Sequence, residues 1–271
     1  KSPAKINLFL KIINKRDDGY HNIRSGVTLV SLYDEIIAEK SSNYNLSYIG
    51  NFAPTNKKFD TCIIERIFST FDITKPNYKF TIKKNIPPQS GLGSASSNAA
   101  AFIRILKKLN LVDGIDMEFI NLGSDVPLFI NNHDCLVRGV GDQIINQHFP
   151  KYFFLLVKPS INCSTIEMYK QINSNNLNYN IEHDLDTINE YDQGNDFENL
   201  VLNKFNEVKI IFDFLNNLNE VIFSRLTGSG SCIYAAFDSK KNADQAQIVF
   251  KDSYPNLWST VVENNFIGYE T

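Results

Sequence analysis

Thirteen residues, Ile86-Pro-Pro-Gln-Ser-Gly-Leu-Gly-Ser-Ala-Ser-Ser-Asn98, decide how this chain is read. Ahead of them, Tyr78 to Lys84 alternates Phe80 and Ile82 with polar neighbours, a period of two that predicts a strand. Behind them, Ala99, Phe102, Ile103, Leu106 and Leu109 share one helical face, with Arg104, Lys107 and Lys108 off it. Pro87 and Pro88 end the strand, because neither can donate to a ladder. Gly91 and Gly93 allow tight turns and keep side chains out of a ligand's way. Ser94, Ser96 and Ser97 bring hydroxyls to a helix start, where unpaired N–H groups and the positive end of the dipole point outward. A strand, a small-residue loop and a helix N-terminus predict an anion site, with phosphate the expected anion, over the plainer reading of a capped turn.

The loop is not a P-loop, which needs a lysine at its end; none stands between Gly91 and Asn98. A dinucleotide fingerprint is half-satisfied by Ser96, and Asp113 lies at a tolerable distance for a ribose acid. However, Asn110 to Met117 lacks the apolar run of a second parallel strand, which weakens that alternative.

Composition bounds the class. At 271 residues the chain holds one large domain or two moderate ones. A hydrophobic content of 43% with 21% charged residues is that of a soluble globular protein, and a net charge of −3 argues against general nucleic-acid binding. Cys62, Cys135, Cys163 and Cys232 are far apart, which predicts neither a disulfide framework nor a zinc site, and points to a reducing compartment. No apolar run approaches the ~20 residues of a membrane span, and no signal peptide is expected at the start. The chain opens at Lys1 without a methionine, so a few residues are expected to precede it.

Along the chain, Ala4 to Asn14 reads as a strand with one buried face (Ile6, Leu8, Leu10, Ile12). Lys5 and Asn7 then share the other face, roughly 6–7 Å apart; a solvated strand lysine is the plain reading of Lys5. Arg16 to Gly19 is a turn, and Val27 to Glu39 holds two short strand-like runs broken at Tyr33-Asp34. Residues 41–60 read as loop with one edge strand, and Thr61 to Phe71 as a helix. Asp116 is placed at the cap of a short helix ending near Gly123. Asp125 falls beside another helix start, with Pro127 in its first turn; a capping aspartate is the plain reading. Leu128, Phe129 and Ile130 are expected in the core, and Cys135 to Val140 as a strand.

A domain boundary is placed near Pro150, followed by the apolar strand Tyr152 to Val157. A helix capped by Ser164 or Thr165 is expected to run to Ile172, then a long polar loop from Asn173 to Gly194. Phe197 to Leu218 reads as one helical stretch, Val221 to Arg225 and Cys232 to Phe237 as strands, Ala243 to Phe250 as a helix and Ser259 to Val262 as a last strand. The second half is therefore α+β, and no internal repeat is visible.

Five separated segments together resemble the motifs of the GHMP kinases in content, order and spacing: Ser2-Pro-Ala-Lys-Ile-Asn-Leu8, Asp18-Gly-Tyr-His21, Gly91-Leu-Gly-Ser-Ala-Ser-Ser-Asn98, Leu122-Gly-Ser-Asp-Val-Pro127 and Leu226-Thr-Gly-Ser-Gly-Ser231. The resemblance covers nearly the whole chain. The first two segments are similar to those of the branch acting on a cytidyl diphosphate sugar alcohol, not on mevalonate or homoserine. The resemblance implies a two-domain GHMP kinase fold, α+β overall. Residues 1–150 would be a ribosomal-protein-like α/β domain, residues 151–271 a ferredoxin-like α+β domain, and the active site would lie in the cleft between them. It implies ATP-dependent phosphorylation, with Mg²⁺, of the 2-hydroxyl of 4-diphosphocytidyl-2-C-methyl-D-erythritol, giving the 2-phosphate and ADP on the non-mevalonate route to isoprenoid precursors.

By the same resemblance, Asp125 accepts the hydroxyl proton while Lys5 orients that hydroxyl and offsets charge; a carboxylate kept ionised and an ammonium suit those tasks. Asn7 bonds the erythritol or diphosphate portion. Tyr20 and Tyr169 sandwich the cytosine, for which aromatic stacking is the physical reason; His21 reads its edge and Thr165 lies nearby. Lys84 and the loop Pro87, Pro88, Gln89, Ser90, Gly91, Leu92, Gly93, Ser94, Ala95, Ser96, Ser97 and Asn98 hold ATP, with Thr61 near the adenine. Gly228 and Gly230 approach the substrate diphosphate through backbone N–H groups, a simple strand connector being the plain reading. No metal ligand is assigned: Mg²⁺ comes mainly through ATP, with Ser97 as a candidate contact. The implied partner is a small molecule, with neither nucleic acid nor membrane, for a monomer or weak homodimer in a bacterial cytoplasm or a plastid stroma.

The chain departs from the family's pattern in three places. Ser94 and Ala95 stand where two glycines are common, so the backbone there must take negative φ. Thr61 stands where asparagine is frequent, and Tyr169 where phenylalanine is. Three alternatives remain at this point: another GHMP kinase of diphosphomevalonate or homoserine type, a non-catalytic nucleotide-binding protein, and a nicotinamide-dependent dehydrogenase. Separation of Lys5 from Asp125 would favour the second.

Overall fold

The computed structural model describes residues 1–55, 62–112, 118–172 and 194–264. Strand β1 (Ser2–Lys15) and strand β2 (His21–Lys40) form an antiparallel pair turned at Arg16 to Gly19, where the Gly19 N–H donates to the Arg16 carbonyl at 3.1 Å. The two runs expected in β2 are one strand. It pairs with β1 up to Asp34 and then, from Glu35 to Lys40, with β4 (Tyr78–Lys83). Tyr33-Asp34 breaks the apolar pattern without breaking the backbone, because the Asp34 carboxylate is buried against partners from distant sequence.

The expected edge strand is β3 (Asn45–Ile49), parallel to β4. On the other side β5 (Cys135–Gly139) pairs with residues 23–27 of β2 and turns through Gly139 and Gly141 into β6 (Gln143–Asn146). Strand β6 was not foreseen: it is short and mostly exposed, so it carries no buried alternation to read. Helices α1 (Ile63–Thr70), α2 (Ser94–Lys108) and α3 (Val126–Asn131) cover one face of this sheet, through Ile64, Phe68, Phe102, Leu106 and Phe129. A 3₁₀ turn, Phe119–Leu122, precedes Gly123 among the described residues; Asp113 and Asp116 lie outside them.

A second sheet has the order β10-β7-β9-β8, all antiparallel: β7 (Phe153–Lys158), β8 (Phe223–Leu226), β9 (Ile233–Phe237) and β10 (Trp258–Glu263). With it come α4 (Thr165–Gln171), α5 (Glu198–Lys204), α6 (Asn206–Asn216) and α7 (Lys240–Ser253). The helical stretch expected from Phe197 to Leu218 is thus two helices, divided where Phe205 turns extended. The loop expected at 173–193 lies outside the described residues.

Strand β7 explains its own apolar run. Leu155 and Val157 face a core with Val208, Ile211 and Phe250, while Phe154 and Leu156 face Ile6, Leu8 and Val30 across to the first sheet. The expectation of one buried face for β1 is therefore corrected: every residue from Ser2 to Leu10 is buried. Helices pack on one side of it and the second sheet on the other, so the polar Lys5 and Asn7 are enclosed as well.

Candidate active site

Two glycine-containing loops meet beside β1. Gly91 and Gly93 both adopt positive φ, 78° and 74°, as their sequence position predicts. A Cβ on Gly91 would fall 2.2 Å from the Thr227 carbonyl oxygen, and one on Gly230 2.6 Å from the Gly91 nitrogen. Any side chain at either position would push the loops apart. The Lys5 N–H donates to the Leu92 carbonyl at 3.0 Å and the Cys232 N–H to the Ser90 carbonyl at 3.3 Å, which ties the first loop to both sheets. Helix α2 begins at Ser94 with no side-chain cap and no acid in its first turn, so its first N–H groups are left for an anion.

Lys5 is only 5% exposed. Its Nζ donates to Asn7 Oδ1 at 2.5 Å, and a Cβ on Gly228 would stand 3.4 Å from the same Nζ. Burial lowers the Lys5 pKa, and the charge of Asp125 opposes that shift. The lysine of the opening strand and the aspartate at the start of α3 therefore lie within electrostatic reach, though they form no ion pair. Asp125 is half-buried and makes no side-chain cap bond, so the plain capping reading does not describe it. Its charge also reaches Tyr169, whose hydroxyl pKa is raised first by burial and then by Asp125.

Asn7 is more committed than a ligand contact needs to be. Its Oδ1 accepts from Lys5 and from Thr227 Oγ1 at 3.3 Å, its Nδ2 donates to Ser25 Oγ at 2.8 Å, and it is 4% exposed. It holds Lys5 in place. A cavity of about 290 Å³ opens between the loops and α4, lined by Gln89, Gly91, Cys163, Ser164, Thr165 and Gly230. Thr165 Oγ1 accepts from Ser229 Oγ at 2.9 Å, which brings α4 onto the second loop.

At the aromatic end, His21 lies against Tyr169 with ring centroids 5.3 Å apart, and Tyr169 against Phe197 at 4.8 Å. Burial, then Lys15, lowers the His21 pKa. Tyr20 is 65% exposed; among the described residues it is His21 that sits on Tyr169. The two tyrosines expected to sandwich a base thus lie one half-buried and one at the surface.

On the other side of the loop, Lys84 is paired with Asp34 and bonded to Ser94 Oγ, and Ser94 Oγ donates to Asp34 at 2.8 Å. Asp34, fully buried, also accepts the Asn85 and Ile86 N–H groups at 2.7 and 2.9 Å. The sequence treated this aspartate as a strand break and missed it. Ser97 and Asn98 are buried, and Ser97 Oγ and Asn98 Oδ1 accept from the Ser2 hydroxyl at 2.9 and 2.7 Å, so both help to anchor β1. Pro87, Ser90 and Leu92 are buried too, and Ser90 Oγ donates to the Pro87 carbonyl at 2.8 Å; Pro88, Gln89 and Ala95 are exposed, and Ser96 half-buried. Thr61 lies outside the described residues.

Two family models match the chain, GHMP kinases N terminal domain over residues 59–142 and GHMP kinases C terminal over residues 177–256. A 4-diphosphocytidyl-2-C-methyl-D-erythritol kinase of Pelagibacter ubique is 34% identical over 95% of each chain, and one of Francisella philomiragia 33% identical over 86% of this chain and 85% of its own. The chain belongs to the 4-diphosphocytidyl-2-C-methyl-D-erythritol kinase family of GHMP kinases. A crystal structure of 4-(cytidine 5'-diphospho)-2C-methyl-D-erythritol kinase shares the fold at a TM-score of 0.77, with 22% identity and 96% and 97% of the two chains covered. The Methanococcus jannaschii mevalonate kinase follows at 0.62 and 16%, covering 98% of this chain and 97% of its own. Members of this family are phosphotransferases, and the two-domain GHMP fold expected from the five segments is the fold of this chain.

Proposed function

We propose that this chain transfers the γ-phosphoryl group of ATP to the 2-hydroxyl of 4-diphosphocytidyl-2-C-methyl-D-erythritol, giving the 2-phosphate and ADP. The names of its relatives support the substrate. The observation that carries the chemistry is the enclosure of Lys5, with Asp125 in electrostatic reach, beside the uncapped start of α2. Phosphoryl transfer asks the protein for positioning and charge stabilisation more than for covalent work. Asp125 accepts the proton of the attacking hydroxyl, whose oxygen bonds to the γ-phosphorus as the bond to ADP breaks. Lys5, held by Asn7, orients that hydroxyl and offsets the negative charge that builds on the transferred group.

The donor phosphates fit the loop Ser90 to Ser96: its glycines leave room and its helix-start N–H groups face an anion. Lys84, bound to Asp34, steadies that loop through Ser94 and leaves the phosphates to backbone groups. Mg²⁺ arriving with ATP supplies charge neutralisation. The acceptor's diphosphate lies against Gly228 and Gly230, its cytosine against Tyr169 and His21, with Tyr20 closing over it from the surface and Thr165 at its edge. We assign the donor loop to residues 1–150 and α4 with the second glycine loop to residues 151–271, a division supported by the two sheets. A monomer or weak homodimer in a bacterial cytoplasm or plastid stroma fits this reading; no helix among the described residues is long and apolar enough to cross a membrane.

A coupled kinase assay with ATP and Mg²⁺ across three acceptors is the test. Turnover of the cytidyl substrate and not of mevalonate or homoserine is expected. Preference for either of the others would overturn the substrate and leave the fold untouched.

A further inference from the structure

The segment Gly194-Asn195-Asp196 follows the polar loop expected to end at Gly194 and carries no motif of its own, yet it lies beside the second glycine loop. It runs beside β1: the Leu10 N–H donates to the Gly194 carbonyl at 3.0 Å and the Asp196 N–H to the Leu10 carbonyl at 2.9 Å. Asp196 takes the Lys11 ammonium and the Ile12 N–H, each at 2.8 Å. Between these anchors Asn195 is 5% exposed and turns its amide onto the second glycine loop. Its Nδ2 donates to the Leu226 and Gly228 carbonyls, both at 2.8 Å, and its Oδ1 accepts the Phe197 N–H at 3.0 Å. Every hydrogen-bonding position of that amide except one lone pair is used.

The consequence follows from peptide geometry. In a planar trans peptide the C=O and N–H point in opposite directions. Drawing the Gly228 carbonyl toward Asn195 therefore turns the Ser229 N–H of the same peptide away from it. Among the described residues that N–H has no protein partner. Gly228 stands at φ 60°, the left-handed geometry in which neighbouring N–H groups converge on an anion, and its Cα faces the Lys5 ammonium. Glu198 fixes the other end of the loop by accepting the Leu226 N–H at 2.9 Å.

We infer that Asn195 is a positioning residue that aims the Ser229 N–H at the diphosphate of the acceptor, and so sets affinity for a nucleoside diphosphate and not for the nucleoside. This rests on the proposed function for the placing of that diphosphate.

The test is calorimetric titration of wild type and Asn195→Asp, as full chains, with CDP and separately with cytidine. Asn195→Asp keeps the size and the acceptor for Phe197 but loses both donors and sets a carboxylate against two carbonyls. CDP is expected to bind about tenfold or more weakly, the loss of a hydrogen bond to a charged group; cytidine affinity and the KM for ATP stay within about twofold. Unchanged CDP binding, or equal weakening of CDP and cytidine, overturns the inference, since a general loosening would move both ligands together. Should Asn195→Asp fail to fold, Asn195→Ser, which keeps one donor, is read in the same way. Failure of the wild type to bind CDP counts against the proposed substrate instead. The role of Asn195 is then read from whichever acceptor is turned over, as a rise in its KM without a rise in that for ATP.

Discussion

Two lysines flank the first glycine loop, and they are enclosed in different ways. Lys84 sits on a fully buried carboxylate, Asp34, and shares it with Ser94. Lys5 has an amide oxygen for a neighbour, and Asp125, whose charge opposes the lowering of its pKa, forms no ion pair with it. Burial lowers the pKa of both; for Lys84 a hydrogen-bonded carboxylate opposes the shift, for Lys5 a carboxylate with which it forms no ion pair. The difference teaches which charge is spent on the fold and which is held for a ligand. A buried ammonium satisfied by a carboxylate steadies a loop, whereas one left under-compensated attracts the next anion that enters.

The sharpest break in this comparison comes from Asp125. Replacing it with asparagine is expected to lower turnover by roughly 10²–10⁴, the range of a general base, with ATP affinity little changed. Steady-state kinetics with nucleotide titration checks this, and an unimpaired variant removes Asp125 from the mechanism.

The two lysines themselves should then respond with opposite signs in stability. Lys84→Met strands the Asp34 charge in the interior and is expected to cost about 3–5 kcal/mol by denaturant unfolding. Lys5→Met removes a charge whose burial is poorly offset, so it is expected to stabilise the fold by about 1 kcal/mol while abolishing turnover, the trade found where a site is built at the expense of stability. Destabilisation of similar size in both would mean that Lys5 is as structural as Lys84.

A finer measurement uses pH. Because the folded pKa of Lys5 is lowered, its ammonium is lost at lower pH than that of an ordinary lysine. Activity that needs the charge is present below that point and falls as pH rises through it. Its charged form costs stability, and that cost is relieved over the same alkaline rise. Labelling of Lys5 by an amine-directed reagent, followed by mass spectrometry across pH, should show early reactivity, and earlier still in Asp125→Asn, which loses the charge that raises the pKa. At the small end, Lys240→Ala breaks an exposed pair with Asp244 and is expected to change unfolding free energy by less than about 0.5 kcal/mol.

Much of this molecule is legible in its local pattern. The alternation in Tyr78–Lys83, the two prolines, and the small residues leading to an apolar helical face set out strand, loop and helix α2 before any contact is known. The left-handed turns at Gly91 and Gly93 follow in the same way. Asp34 and Asn195 were not legible. Each sits where the apolar pattern stops, and each is explained by partners far along the chain: Lys84 for the one, Leu226 and Gly228 for the other. Ser97 and Asn98 carry a bond that local pattern does not show either: their hydroxyl and amide beside the glycine loop suggest ligand contacts, and only the fold shows that both accept from Ser2.

What the sequence by itself determined is therefore most of the elements, the turn chemistry and the five segments that resemble one kinase family, because these depend on neighbours within a few residues. Only the tertiary structure decided which polar groups are enclosed and who holds them. Burying β1 on both faces takes Lys5 and Asn7 out of water, and the worth of a charge or an amide there is fixed by whichever distant residue the fold sets against it.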